Sequence, residues 1–258
     1  METPSISLRP SILLATPSES ADYLPLLRWL ILMCLTTFGL VALWHLGLIR
    51  VMLDTDRTHV STLILGLFAL TTLHCLAQTL FVSRELAAVR AFEDALRRDA
   101  DLATSVAADP SHVPQGSMIG RHIANLVAKA RAQKGRRIDQ TLLLRTLADR
   151  LRGREKIGLF VSEALLRLAL LGTAVGFILM LIPIAGLTAF DAESLRKALA
   201  GMSGGMAIAL NVTVTGIATA LLLKLQYFFL DKGVADLVAA ITELTEVHVI
   251  SALEHSDG

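Results

Sequence analysis

Four stretches of this chain lack the mixture of polar and apolar positions that a water-soluble helix or strand needs. Leu26–Ile49, Val60–Val82, Leu168–Leu187 and Gly204–Leu223 are apolar on every side, and their only charged residue is Arg28, at the edge of the first. A helix rises about 1.5 Å per residue and the hydrocarbon core is about 30 Å thick, so about 20 such residues cross a bilayer. Buried helices of a soluble bundle would each need neighbours on every side to cover a charge-free surface, which makes four membrane spans the simpler reading. The first run is too long for a signal sequence and no small-residue cleavage site follows it, so it reads as a retained helix.

Between and after the spans the pattern changes to the helical period of three to four. Leu86, Val89, Phe92 and Leu96 continue the second span as an amphipathic helix. Asp109–Pro110 and the run His112–Gly116 break it. A second helical stretch begins near Met118, loosens around Gly135 and runs from Ile138 into the third span. In the tail, Val234, Leu237, Val238, Ile241 and Leu244 form one stripe. The expected fold is an all-α membrane protein: four transmembrane helices with long cytoplasmic helical extensions. Its expected parts are a tail (1–25), a peripheral transmembrane hairpin (26–82), a cytoplasmic helical segment (83–157), a second transmembrane helix pair (158–230) and a C-terminal cytoplasmic helix (231–258).

Composition agrees. Of the 258 residues 53% are hydrophobic and 18% charged, with mean hydropathy +0.60, more apolar and less charged than an average soluble domain. The net charge of +1 gives no basic face for nucleic acid. It also conceals a division. Residues 84–156 hold 15 Lys/Arg and 9 Asp/Glu, whereas 224–258 hold two basic and six acidic residues. Arg84, Arg90, Arg97 and Arg98 follow span two, and Arg145, Arg150, Arg152, Arg154 and Lys156 precede span three. The links at 50–59 and 188–203 balance their charges, Arg50 and Arg57 against Asp54 and Asp56 in the first. The positive-inside rule therefore puts the middle segment and both termini in the cytoplasm. The basic segment has two uses open to it: packing on the acidic tail, or lying on anionic lipid. Cys34 and Cys75 fall at similar depth in the first hairpin and read as apolar fillers.

Candidate chemistry is confined to the last two spans. The first two are bulky, with Trp29, Phe38, Trp44 and Phe68, and also carry His45 and His74. The last two place small and hydroxyl residues at helical spacing: Gly172, Thr173 and Gly176 in one, Ala209, Thr213, Gly216 and Ala220 in the other. Such stripes allow close helix packing, and two on consecutive helices, each with a threonine, also fit a narrow shared lining. At the inner end Glu163 and Arg167 are spaced i,i+4 as a surface pair or an inner ion exit, and Lys224 is placed to snorkel. No Ser/His, paired-Asp or His-rich pattern lies in the spans, so neither an enzyme nor a metal or cofactor site is expected.

The runs Leu170-Leu171-Gly172-Thr173-Ala174-Val175-Gly176-Phe177 and Ala209-Leu210-Asn211-Val212-Thr213-Val214-Thr215-Gly216 resemble the MotA/TolQ/ExbB proton-channel superfamily, over roughly residues 154–254. The resemblance implies an ion-driven stator subunit of the bacterial inner membrane, assembled as a homo-oligomer of five copies. These surround two single-span helices of a partner subunit, MotB/TolR/ExbD-like, whose Asp carries the proton or sodium ion. It makes Thr173 and Thr213 pore-lining, with Gly176, Ala209, Gly216 and Ala220 beside them. Ile208 stands where TolQ- and ExbB-like members commonly carry Glu. That and the four spans favour a MotA-like or Zorya-type arrangement, while Gly-Thr-x-x-Gly looks Tol/Exb-like. A different class also fits the sequence: a non-conducting membrane scaffold that recruits a cytoplasmic partner through its basic segment.

Overall fold

The computed structural model describes residues 24–47, 49–50, 59–99, 102, 104–106, 109, 113, 116–133, 139–186 and 191–256. Among them the principal elements are helices: α1 (Leu24–His45), α2 (Val60–Arg98), α3 (Met118–Gln133), α4 (Thr141–Ala185), α5 (Ala192–Leu244) and, after a π-helical turn at Thr245–Ile250, α6 (Ser251–Ser256). Four of them are long and apolar enough to cross a membrane, in the order expected. Asp54, Asp56 and Arg57 of the first link, the helix breakers Pro110, His112, Pro114 and Gln115, the loosening at Gly135 and the start at Ile138 lie outside the described residues.

Length is the dominant feature. With 39, 45 and 53 residues, α2, α4 and α5 extend about 60, 70 and 80 Å, two to nearly three times the hydrocarbon thickness. The helices run unbroken through the boundaries drawn at 82, 157 and 230.

Pairwise approaches fix the register. On α4 and α5, Gly158 meets Tyr227, Ser162 meets Ala220, Gly172 meets Val212, Gly176 meets Ala209 and Gly205 meets Met180, so the two helices are antiparallel along most of their length. α2 runs parallel to α5, with Thr72 bonded to Gln226 and His74 to Tyr227, and antiparallel to α4, with Val60 beside Gly172 and Arg154 beside Gln78. The buried positions of α4 are Leu151, Glu155, Gly158, Ser162, Leu165, Ala169, Gly172 and Gly176. They alternate steps of four and three, the period of a coiled-coil seam.

Outside the membrane spans the core changes character. The expected stripe Leu86, Val89, Phe92 and Leu96 is buried, as are Val234, Leu237, Ile241 and Leu244 of the tail. They belong to one buried core with Ile119, Ile123, Leu126 and Val127 of α3. Glu85 Oε2 accepts the Met118 N–H at 2.7 Å, satisfying one of the free donors that begin α3. At the far end of the bundle, Gln140 Oε1 accepts from the Thr245 hydroxyl at 2.8 Å and from His122 Nε2 at 3.3 Å, while Gln140 Nε2 donates to Glu246. Gln140, Thr245 and His122 are all buried in this knot, and burial pulls His122 below the ordinary histidine range.

Candidate ion pathway

The stripe of small residues forms the contact between α4 and α5. Gly176, Ala209, Gly216 and Ala220 are all buried there. A Cβ on Gly176 would lie 2.7 Å from the Ala209 backbone nitrogen, and one on Gly216 would collide with the Ala169 methyl group. Ser162 crosses the seam to donate to the Ala220 carbonyl at 3.1 Å. These positions meet one another within a single subunit, which is what close backbone approach demands of them.

Thr173 and Thr213 are placed differently. Each follows a contact residue, Gly172 on α4 and Val212 on α5, that faces the other across the seam. One further residue turns a helix by about 100°. Because the helices are antiparallel, this turn carries both residues to the same side of the pair. Most of the other residues one step past a contact behave alike: Leu170, Phe177, Leu210, Ile217 and Leu221 are exposed large apolar groups, whereas Glu163, one step past Ser162, is exposed and charged. Together they make one open face on the α4–α5 pair, with Thr173 and Thr213 level with each other in its middle. Both hydroxyls are tied to their own helix, Thr173 to the Leu170 carbonyl at 2.6 Å and Thr213 to the Ala209 carbonyl at 2.9 Å. This is the usual way a hydroxyl is satisfied in an apolar helix, and it leaves an acceptor lone pair outward.

Glu163 and Arg167 pair at 3.4 Å on the exposed surface of α4. Cys34 is exposed and Cys75 fully buried. The structure also assembles a cluster around Glu155 and Asp231, neither of which the sequence patterns singled out. About 22 Å along α5 from the threonines, a cavity of about 570 Å³ opens between α4 and α5, lined by Glu155, Leu159, Leu221, Lys224, Tyr227, Phe228 and Asp231 among others. Glu155 is 6% exposed, and its Oε1 has no hydrogen-bond partner. Burial, then the neighbouring Asp231 carboxyl, push the Glu155 pKa up to about 8 against a small opposing pull from Arg152. The buried Tyr227 hydroxyl bonds His74 Nδ1 at 2.8 Å. A signal for this cluster did exist: Glu155 is the one acidic member of the four–three seam of α4.

Residues 114–243 match the family model described as the MotA/TolQ/ExbB proton channel family, which is half of the chain. The chain belongs to the MotA/TolQ/ExbB proton channel family. The match begins some forty residues before the stretch over which the resemblance was drawn, so it takes in α3 as well as the α4–α5 pair. No curated protein and no solved structure matches the chain. Membership and the four long apolar helices together describe a multi-pass membrane protein of a proton-channel family.

Proposed function

We propose that this MotA/TolQ/ExbB family member is the channel subunit of an ion-driven stator in the bacterial inner membrane, with both termini and the helical extensions in the cytoplasm. Five copies would turn their α4–α5 faces toward a common axis. The axis is filled by a single-span partner whose aspartate carries a proton or sodium ion. Ion passage along Thr173 and Thr213 would then turn or rock the partner against the ring.

The observation that carries this reading is the open α4–α5 face. Over Leu168–Leu187 and Gly204–Leu223 it is apolar and free of charge, and its two level hydroxyls belong to helices that run in opposite directions. An intramembrane carrier would need its own carboxylate or other ionisable group at that depth. A wall without one suits a pathway whose ionisable group arrives on another chain. α1, with α2 behind it, takes the position of a lipid-facing rim: Leu30, Ile31, Leu35 and Phe38 are exposed. The orientation follows from the 15 basic residues of 84–156, which flank spans two and three.

The test is gradient-driven proton flux in native membranes carrying Thr173→Val or Thr213→Val protein at normal abundance. Valine keeps the shape and removes the hydroxyl, so flux should fall in both. Wild-type flux in both would overturn the assignment of this face.

A further inference from the structure

The cavity at Glu155 opens on the same face as the threonines. Leu221 belongs to that face, and Leu159 and Phe228, each one step past the Gly158–Tyr227 contact, continue it. A path along the face toward the extramembrane bundle therefore passes the exposed Glu163, one step past Ser162 and paired with Arg167, and arrives at this cavity. Its two acidic groups differ sharply in surroundings. Glu155 sits in the seam of α4 with one carboxylate oxygen unpartnered, whereas Asp231 on α5 is exposed.

Several charged and titratable groups bear on Glu155. Asp231, Lys224 and Tyr227 come from α5, Arg152 from α4 itself, and Cys75 and His74 from α2, the last through its bond to Tyr227. Two neighbouring carboxylates in a half-dry cavity repel if both are ionised, and a single proton between them removes that repulsion. An unpartnered buried carboxylate oxygen costs free energy that a bound proton or an entering water would recover.

We propose that Glu155 and Asp231 together hold one exchangeable proton in this cavity, as the chain's own protonation site at the inner end of the ion path. This role rests on the ion-pathway reading given above. A hydronium ion reaching the cavity gives its proton to the carboxylate pair and leaves as water. The proton departs from the exposed Asp231 side to bulk water, which restores the anion for the next transit. Glu155 is raised into the physiological range, so that both steps run close to balance. Tyr227 and Lys224 border the pair, Tyr227 as a fixed wall and Lys224 as a positive charge that limits how many protons it takes up.

The experiment is infrared titration of the full chain in lipid nanodiscs, together with proton flux in native membranes. Wild-type protein should show a protonated carboxyl band that disappears near pH 8. Glu155→Gln should abolish the band, and Asp231→Asn should shift its midpoint down toward the ordinary carboxylate range. Absence of any carboxyl titrating above pH 6 would overturn the proposal. So would wild-type flux in Glu155→Gln protein while the threonine variants are impaired, with the open face left standing. Loss of flux in Glu155→Gln with full flux in both threonine variants would sustain the site and sink the assignment of the face.

Discussion

The Tyr227 ring occupies the space that a side chain at residue 158 would fill. A Cβ on Gly158 would overlap the ring, most closely at its Cζ, and from that seat the phenol reaches across to bond His74 at 2.8 Å. One glycine thus lets three helices meet at a single point, since Gly158 is on α4, Tyr227 on α5 and His74 on α2.

Gly158→Ala should be destabilising by about 1–3 kcal/mol, because the ring must leave its seat against the α4 backbone. Tyr227→Phe keeps the ring and loses only the hydrogen bond, for about 1 kcal/mol. Thermal unfolding in detergent should rank the two in that order. Equal loss in both would mean that the hydrogen bond, and not the packing, holds the junction.

Gly176 faces backbone instead of a side chain, so the neighbour cannot rotate away. Gly176→Leu should cost about 3 kcal/mol or more and separate α4 from α5. Size-exclusion profiles and protease sensitivity would report the separation. A monodisperse, protease-resistant variant would contradict the seam.

The buried knot around Gln140 ties α3 and α4 to the turn after α5. Thr245→Val removes the 2.8 Å donor to Gln140, whose Oε1 keeps only the longer bond from His122, and should cost about 1 kcal/mol. Hydrogen exchange should rise in α3 and at Thr245–Ile250 while the membrane spans stay protected. Uniform loss of protection would show that the bundle opens only as a whole.

Stability should depend on pH through Glu155. Its carboxyl rises from an ordinary value of 4.5 to about 8 in the folded chain, so the fold binds a proton that the unfolded chain has lost. The stabilisation is complete below about pH 4.5 and is lost as pH rises through about 8. Every tenfold gain in proton affinity on folding is worth about 1.4 kcal/mol, which sets a total of a few kcal/mol. Glu155→Gln should flatten the profile across that window and raise stability above it. A wild-type profile that rises from pH 5 to 8 would reverse the expected sign.

The spans were legible because the bilayer tolerates so little: Leu168–Leu187 without a charge admits one reading. The stripes at Leu86–Leu96 and Val234–Leu244 were legible for a related reason, since amphipathic periodicity is local. The rotation of Thr173 and Thr213 to one face was not, because it follows from the antiparallel register of two helices. Glu155 was hidden for another cause. Among Arg150, Arg152, Arg154 and Lys156 it looks like one more solvated charge, and its partner Asp231 lies far along the chain. Only the four–three spacing from Leu151 to Gly176 distinguishes it, and that spacing becomes visible once the seam is known.

The same spacing has a mechanical meaning. A seam repeating every seven residues lies askew on a straight helix and closes only if the two helices wind about each other left-handedly. α4 and α5 therefore form a chiral spring: torsion in one sense tightens the winding and is resisted, and torsion in the other loosens it and is absorbed. A torque applied to one end of this pair would meet unequal stiffness in the two directions of turning.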